Sequence, residues 1–329
     1  MRRLDDKAAT LGNVSLLYYG EGLTQSDIAR RMGVSRGTVV NMLREARDRG
    51  LVEIRVDGRT LAASSTARDL SEAYGLTDCY IAQMGSDVVP SRAEVLRQVG
   101  RVAAAAFIEI VEPGDRIGVA WGETVFAVAQ ALPRAEAEGA AVYQMIGSMV
   151  SARVPASEDC TIRIAHQLCA KCYTLHAPAV VSDGDLARRL RAEPTIAKQL
   201  DALRDLDLTV VSVGAVVPGT HFHAAGMASQ AEMEDAAEKG AAGIICCRYI
   251  DAAGRKVEDV AGDCRVVGID VPDIGQARKR LLVASGRERA AAVRATLAGG
   301  LATHLCVDGA LAQALLLPAL TTSEGRRVR

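Results

Sequence analysis

The chain has 329 residues, a formal net charge of −1, eight cysteines and few aromatic residues. Single cores stop growing near about 250–300 residues, so this length favours two domains or more. No apolar run reaches the roughly 18 residues of a membrane span, and no apolar segment follows the two arginines at the start, so we expect neither a membrane protein nor a secretory signal. The cysteines lack disulfide-framework spacing, which favours a reducing, cytoplasmic location.

Residues 1–59 are predicted to form a winged helix-turn-helix domain. Apolar residues at nearly helical spacing predict a first helix over Leu4–Tyr19. Thr24 is suited to cap a second, short helix, and Gly33 is suited to the left-handed residue of the tight turn after it. Ser35 is suited to cap a third helix. The spacing of cap, turn glycine and apolar residues is that of a helix-turn-helix, whose last helix enters the major groove of DNA.

A small wing is predicted after the third helix, which we expect Gly50 to end. Leu51–Val56 alternates between apolar and polar residues as a strand does. Asp57-Gly58 predicts a tight turn, and Arg59 lies at its tip.

The third helix is predicted to carry a basic surface. Six arginines but only two acidic residues lie between Arg30 and Arg49. Such a local excess on a nearly neutral chain is typical of a DNA-reading module. Arg36 and Arg44 are suited to bind guanine edges or phosphates, and Asn41 is suited to bind adenine. Thr38 could bind a phosphate or contact a thymine methyl group, and Gly37 leaves room for close approach to DNA. The predicted DNA-binding residues are Thr24, Ser35, Arg36, Gly37, Thr38, Asn41, Arg44 and Arg59. An ordinary helical hairpin with a solvated basic face is the alternative.

A small, polar linker is predicted over 60–66, followed by a second domain over 67–320 and a tail over 321–329. The second domain alternates short apolar strands with helices, which predicts a doubly wound, mostly parallel α/β fold. The predicted strands are Cys79–Met84, Arg116–Ala120, Ala141–Met145, Cys172–Leu175, Leu208–Val213, Gly243–Cys247, Arg265–Gly268, Leu281–Ala284 and His304–Val307. The predicted helices are Ala67–Tyr74, Arg92–Glu109, Thr124–Leu132, Glu158–Leu168, Leu186–Leu203, Gln230–Glu238, Arg287–Leu297 and Gly309–Leu316.

Three segments at strand ends predict a ligand site. "RIGVAWGETV" leaves a strand for a helix, "VYQMIGSMV" ends a strand at Gly147-Ser148, and "LLVASGRERAAAV" places Ser285-Gly286 before a helix. Backbone N–H groups and hydroxyls at such positions favour an anion, and Arg287 and Arg289 add positive charge beside the third segment. We therefore expect a phosphorylated or polyhydroxylated small ligand at the carboxyl ends of the strands.

The order of these motifs resembles the SorC/DeoR-type sugar-binding transcriptional regulators. The resemblance spans the whole chain, from the helix-turn-helix through "GVAWGET", "MIGSMV" and "DAAGRKVED" to "LLVASGRERAAAVRATLAGGLATHLCVDGALAQALL". It implies a second domain similar in fold to sugar-phosphate isomerases and deaminases that acts as an effector sensor. It also implies a dimer or tetramer that rearranges on operator DNA when a sugar, sugar alcohol or sugar phosphate binds. We expect no cofactor, no metal and no membrane partner.

The resemblance implies an effector site at the WG-x-T turn and at the two later segments. The matching residues are Trp121, Gly122, Glu123, Thr124, Gly147, Ser148, Gly286, Arg287, Arg289 and Asp308. The chain departs from the family pattern, because Ser148 and Ser285 replace common glycines and Glu123 adds a negative charge. Ile146 also stands about where sensors of sugar bisphosphates carry an arginine. These departures argue against a bisphosphate and leave a monophosphate or an uncharged polyol.

Other patterns allow competing hypotheses. "HQLCAKCYTLH" has histidines and cysteines at spacings that zinc could use, although a helix end turning into a strand would point them apart. "HFH" at 221–223 suits a polar loop better than a ligand contact, and Cys246-Cys247 suit small core residues. The rival function is a sugar-phosphate isomerase or deaminase with a DNA-binding appendage. Its candidate bases are Glu123, Asp308 and His221, but an enzyme has no need of the exposed basic helix.

Overall fold

A computed structural model of the protein describes residues 2–52, 62, 64–85, 89–149, 156–217 and 220–317. The chain divides into two compact units, Met1–Val56 and Asp57–Arg329. None of the helices in the described ranges is long and apolar enough to cross a membrane.

The smaller unit is helical. It contains α1 (Arg2–Ser15), a π-helical turn (Leu16–Gly20), α2 (Gln25–Met32) and α3 (Arg36–Asp48). The predicted first helix therefore continues past Ser15 with changed geometry. Each of the next two helices begins where a local signal predicts it.

The turn between α2 and α3 has the conformation that the sequence predicts. The Thr24 Oγ1 atom accepts a hydrogen bond from the Asp27 N–H at 3.2 Å, and the Ser35 Oγ atom accepts one from the Thr38 N–H at 3.0 Å. Gly33 has a φ of +68°, which glycine adopts at little cost. These interactions confirm the helix-turn-helix arrangement.

The apolar sides of the three helices form one core. Its fully or nearly fully buried members are Val14, Ile28, Val39 and Leu43. Leu51 and Val52 do not lie in a strand, and the rest of the predicted wing, including Arg59, lies outside the described residues.

The larger unit contains a parallel sheet and a small antiparallel sheet. The strands are β1 (Asp78–Ala82), β2 (Arg116–Val119), β3 (Ala141–Gln144), β4 (Lys171–Tyr173), β5 (Leu208–Val211), β6 (Val213–Gly214), β7 (Ala241–Ile245), β8 (Arg248–Asp251), β9 (Lys279–Ala284) and β10 (His304–Asp308). Seven strands form the parallel sheet in the order β1-β10-β9-β5-β2-β3-β4, and β6-β7-β8 form the second sheet. The predicted mostly parallel α/β fold is confirmed.

Helices cover both faces of the parallel sheet. The helices of the larger unit are α4 (Ser65–Tyr74), α5 (Arg92–Ile110), α6 (Glu123–Ala131), α7 (Ser157–Gln167), α8 (Gly184–Ala192), α9 (Pro194–Ala202), α10 (His221–Ala224), α11 (Gln230–Glu238), α12 (Val271–Gln276), α13 (Ala290–Ala298) and α14 (Gly309–Leu316). Alternate residues of β9 belong to two different cores, Leu281 to one with α5, α6 and α7, and Leu282 to one with α4, α13 and α14. Burial of both faces explains why the strands read as continuous apolar runs.

Two predicted elements are wrong, and one observed strand was missed. Leu186–Leu203 is wrong as one helix, because Pro194 starts a second helix at a position where its missing N–H is tolerated. Arg265–Gly268 is wrong as a strand, because it makes only isolated bridges with Val180 and Ile146. Strand β8 was not predicted, since it follows β7 so closely that the two read as one apolar run.

The strand order creates a crevice between β2 and β5. The chain moves from β2 through β3 to β4 toward one edge of the sheet, whereas β5, β9 and β10 lead toward the other. Strands β2 and β5 are hydrogen-bonded neighbours, so the helices that follow them diverge. Ligands of doubly wound folds bind at the carboxyl ends of strands beside such a switch point.

Candidate functional site

The first candidate site is the exposed surface of α3. Arg36, Gly37, Asn41 and Arg44 are exposed there, and Thr38 is half-buried. Within the described part of the chain, Asn41 and Arg44 make no hydrogen bond or ion pair, so their polar groups are available to a partner. The Arg36 Nε atom lies 3.4 Å from Gln25 Oε1, a contact that an incoming phosphate could replace.

Glu45 on α3 and Asp27 on α2 are already paired. Glu45 lies 2.7 Å from Lys7 Nζ and 2.5 Å from an Arg49 nitrogen, and hydrogen bonding by Lys7 and the charge of Arg49 lower the pKa of its carboxyl. Asp27 is likewise engaged by Thr24 and Arg30, which lower its pKa. The predicted residues Thr24 and Ser35 therefore act as helix caps in this structure.

The second candidate site is a cavity of about 260 Å³ at the carboxyl ends of the strands beside the switch point. The loop after β2 supplies Trp121–Thr124, the segment after β5 supplies Ser212–Ala215, and the turn after β9 supplies Glu288 and Arg289. Because β9, β5 and β2 are adjacent, the sheet brings these three segments to one place.

The start of α6 forms one wall of the cavity. Gly122 is the N-cap residue with a φ of +134°, and it has no side chain to bond the first N–H groups of the helix. Thr124, in the first turn, is only 2% exposed. Uncapped N–H groups at a helix start favour a negatively charged group. This wall is therefore suited to the anionic or hydroxyl group of a ligand.

Arg289 is the most informative side chain of the cavity. Its Nη1 atom lies 3.5 Å from Ser212 Oγ and 3.4 Å from the Val213 carbonyl oxygen, which are long hydrogen bonds. It makes no ion pair with any residue that the structure describes. Burial, and to a lesser extent the charge of Arg92, lower the pKa of its guanidinium from the ordinary value. A partly buried cation without a counter-ion is costly, and an anionic ligand would offset that cost.

Arg92 is paired differently, at the outer side of the same cavity. Its guanidinium lies 3.1 Å from Glu123 Oε2 and 3.9 Å from Glu288 Oε1. Arg92 is the first residue of α5, far from the WG-x-T turn in sequence. Four charged residues, two of each sign, thus line the cavity.

The remaining wall is mostly apolar. It includes Ile146, Val213, Val217, Phe222, Ile244, Cys246 and Cys247. Both cysteines have positive φ, at the turn between β7 and β8, and burial raises the pKa of both thiols, that of Cys247 to about 12. They are core residues, as predicted, but they also line the cavity. Thr220 Oγ1 is buried there without a hydrogen-bond partner among the described residues, so it can bind a ligand hydroxyl.

Half of the predicted effector residues line this cavity and half do not. Trp121, Gly122, Glu123, Thr124 and Arg289 line it. The other predicted residues lie outside the cavity lining, namely Gly147, Ser148, Gly286, Arg287 and Asp308.

Asp308 and the turn beside it have a structural role. The Asp308 carboxylate accepts hydrogen bonds from the Gly286 N–H at 2.7 Å and from the Leu311 N–H at 3.0 Å. It therefore caps α14 and holds the turn after β9. Arg287 is exposed. These residues support the turn that presents Arg289.

The Gly147 segment uses its backbone N–H groups for packing. Gly147 donates to the Val267 carbonyl oxygen at 3.0 Å and Ser148 to that of Ala177 at 2.7 Å. A Cβ atom on Gly147 would overlap the backbone of Ala177 and Pro178. Glycine is therefore required here by close approach of the backbone.

We expect Gly147→Ala to lower the free energy of unfolding by about 1–3 kcal/mol, because the backbone it meets cannot move aside as a side chain can. Urea denaturation followed by the fluorescence of Trp121, the single tryptophan, measures this in the larger unit. Ser148→Ala is the control, with a change of about 0.5 kcal/mol or less. Unchanged stability with altered ligand binding in Gly147→Ala would contradict the packing role and would indicate that the segment belongs to the binding site.

Sequence reasoning did not find several cavity residues. Arg92, Ser212, Thr220, Phe222 and Glu288 come from distant segments. The one available signal was the rule that the ends of neighbouring parallel strands converge, which requires the strand order to be known.

The other histidine and cysteine patterns lie away from the cavity. His166 ends α7, Cys172 lies in β4, and His176 Nε2 lies 3.3 Å from Thr174 Oγ1. No group of three or more metal-binding side chains is found in the described ranges. His223 Nδ1 lies 3.1 Å from the Ala228 carbonyl oxygen, and the side chain of His221 is outside the described residues.

Comparison with known proteins identifies the family. Residues 59–317 match the family described as "Putative sugar-binding domain", and residues 14–60 match the MarR family. The chain is 33% identical to the uncharacterised transcriptional regulator YjhU of Escherichia coli K12 over 91% of this chain and 92% of that protein. The chain belongs to the SorC/DeoR-type family of sugar-binding transcriptional regulators.

Further comparisons place the regulator among proteins of similar length and fold. It is 28% identical to the Deoxyribonucleoside regulator of Bacillus subtilis over 91% of this chain and 95% of that protein. Its fold is similar to that of the full-length sorbitol operon regulator SorC of Klebsiella pneumoniae, with a TM-score of 0.70, 24% identity and coverage of 95% and 100% of the two chains. The regulator is thus a DNA-binding transcription factor and not an enzyme.

Proposed function

We propose that this regulator controls a carbohydrate or polyol catabolic operon and that a small sugar, sugar alcohol or sugar monophosphate in the cavity sets its affinity for operator DNA. The observation that carries the proposal is that an uncapped helix start and Arg289, a cation that forms no ion pair with the described residues, line the same cavity. The names of two similar proteins support the ligand class, since one is a deoxyribonucleoside regulator and the other a sorbitol operon regulator.

The carboxylates that an isomerase would need as bases are already engaged. Glu123 is paired with Arg92 at 3.1 Å, and Asp308 accepts two backbone hydrogen bonds. A catalytic base must reach the proton it removes, and such contacts compete with that role. The same groups suit a sensor, which needs binding without turnover.

The proposed mechanism is a linkage between effector and DNA. The effector prefers one arrangement of a dimer or tetramer, and operator DNA prefers that arrangement or another. The coupling is reciprocal and typically about 1–3 kcal/mol. Two recognition helices in a dimer require half-sites about 34–36 Å apart, one turn of DNA, or a multiple of that. Analytical ultracentrifugation with and without operator DNA tests the assembly. We place the regulator in the cytoplasm, where its eight free cysteines remain reduced.

A gel-shift titration tests the proposal. The probe is the DNA upstream of the regulator's own operon, and the added compounds are tetritols, pentitols, hexitols and their monophosphates. A retarded band whose midpoint one compound moves by about fivefold or more supports an effector-controlled regulator. A retarded band that no compound moves contradicts control through the cavity.

We expect Arg44→Ala to weaken specific operator binding by about 1–3 kcal/mol, because the exposed guanidinium would lose its contact with a base or a phosphate. Fluorescence anisotropy on operator and on unrelated DNA measures the effect. Loss on the operator alone indicates base reading, and equal loss on both with a smaller salt dependence indicates a phosphate contact.

Arg188→Ala is the matched control for this variant. Arg188 is an exposed arginine of α8 in the larger unit, and its partner is Asp185 at 2.7 Å. The control removes the same charge far along the chain and should leave DNA binding unchanged. Equal losses in the two variants would contradict a specific role for Arg44.

A further inference from the structure

The charges around the cavity are balanced but unevenly paired. Arg92 already has Glu123 at 3.1 Å and Glu288 at 3.9 Å, whereas Arg289 forms no ion pair with the described residues. Glu288, Glu123 and, more weakly, Asp308 act on Arg289 only at longer range, through their charges. The cavity therefore has one cation available for a ligand.

Glu123 lies at the start of α6, the part of the cavity that is suited to bind an anion. It is the first helical residue of α6, directly after the uncapped Gly122, and only 22% of its side chain is exposed. An anion at this helix start would lie between Arg289 and the Glu123 carboxylate. Attraction to Arg289 is then opposed by repulsion from Glu123, and the repulsion grows with each charge on the ligand.

A phosphate monoester carries about −1.5 to −2 charges at neutral pH, whereas a carboxylate carries one. One negative charge matches the available cation. The second charge of a phosphate would be repelled by the Glu123 carboxylate. Arg92 could not offset that repulsion fully, because it is already paired with Glu123. An uncharged polyol would leave the Arg289 charge partly buried and without a counter-ion.

We propose that Glu123 makes this regulator selective for an effector with a single negative charge, the carboxylate of a sugar acid, bound between Arg289 and the start of α6. The hydroxyl groups of such an acid find acceptors and donors at Ser212 and Thr220, whose Oγ1 atom is buried without a partner among the described residues. This inference rests on the proposed function, since it assumes that the cavity holds the effector, and it replaces the sugar, polyol or monophosphate proposed there by a sugar acid.

The test compares matched sets of ligands by calorimetry and by Trp121 fluorescence. The sets are erythritol, ribitol and sorbitol, the corresponding acids erythronate, ribonate and gluconate, and the corresponding terminal phosphates. At least one acid should bind the unaltered full-length protein about tenfold more tightly than its phosphate and its polyol. This comparison needs no variant.

The Glu123→Gln variant then tests the residue itself. Glutamine keeps the size of the side chain and removes its charge, so the affinity ratio should shift toward the phosphate by about tenfold. Glu136→Gln is the control, because Glu136 is exposed and does not line the cavity, and its ratio should stay that of the unaltered protein.

Three results would overturn the inference. Tighter binding of a phosphate or a polyol by the unaltered protein contradicts the selectivity and leaves the proposed function in place. An unchanged ratio in Glu123→Gln contradicts the role of Glu123. Absence of binding by every compound contradicts the inference and the proposed function together.

Discussion

Arg289→Ala is expected to abolish the effector response while the folded protein loses no stability. Arg289 offers the cavity a positive charge that forms no ion pair with the described residues, so its removal should lower effector affinity by about 2–5 kcal/mol, roughly 30-fold or more. The same change removes a partly buried cation without a counter-ion, so the unfolding free energy without effector should stay the same or rise. Lower effector affinity together with unchanged or higher stability would separate a binding role of Arg289 from a structural one.

The measurements are effector titration by Trp121 fluorescence, urea denaturation, and a gel shift with and without effector. The control is Arg287→Ala, which removes the same charge from the same turn at an exposed position outside the cavity lining. Operator binding without effector should persist in both variants. Combining Arg289→Ala with Thr124→Ala should leave no response. An Arg289→Ala protein that keeps its response would place the effector elsewhere.

Lys279→Met is expected to lower the free energy of unfolding by about 3–5 kcal/mol. Lys279 Nζ lies 2.6 Å from Asp115 Oδ2, and the two side chains are only 10% and 4% exposed. The ammonium also donates to the Ile110 carbonyl oxygen at 3.0 Å. Methionine fills a similar volume but removes the close, buried cation of the Asp115 carboxylate and leaves only the exposed Arg278 at 3.9 Å, which is the costly outcome for such a pair.

Urea denaturation at neutral pH, followed by Trp121 fluorescence, measures this loss. Arg188→Met is the control, since Arg188 is 75% exposed and its pair with Asp185 should contribute about 1 kcal/mol or less. Adding Asp115→Leu to Lys279→Met should restore much of the stability, because the uncompensated charge is then gone. A loss below about 1 kcal/mol in Lys279→Met would contradict the stabilising role of the pair. The pair lies where β2 and β9 begin, at the opposite ends of the strands from the cavity, so effector binding should not change.

Local signals predicted the helix-turn-helix and several helix boundaries. Thr24 and Ser35 cap helices because their hydroxyls bond N–H groups three residues ahead, an interaction that needs no distant partner. The helix Gln230–Glu238 was predicted with its observed bounds, and in the structure Ser229 and Glu232 form a capping box at its start. Such elements are encoded within a few residues, so one sequence suffices to find them.

The effector cavity could be predicted only in part. The WG-x-T turn carries its own signal, a glycine before a helix, and it does line the cavity. Gly286 and Asp308 carry a similar signal but support the turn instead, since Asp308 bonds the Gly286 N–H. A strand-to-helix turn looks the same in sequence whether its N–H groups meet a ligand or another part of the chain.

The sequence by itself determined that this protein has a helix-turn-helix with an exposed basic helix and a mostly parallel α/β domain, because caps, turn glycines and apolar periodicity act over short distances. Only the tertiary structure decided which charges meet. In the folded domain Arg92 pairs with Glu123, and Arg289 forms no ion pair with the described residues. Gly147 packs against the backbone of Ala177 and Pro178 instead of lining the cavity. The physical reason is that electrostatic pairing depends on distance in space, and the order of strands in the sheet, which sets those distances, is decided by how the whole domain packs.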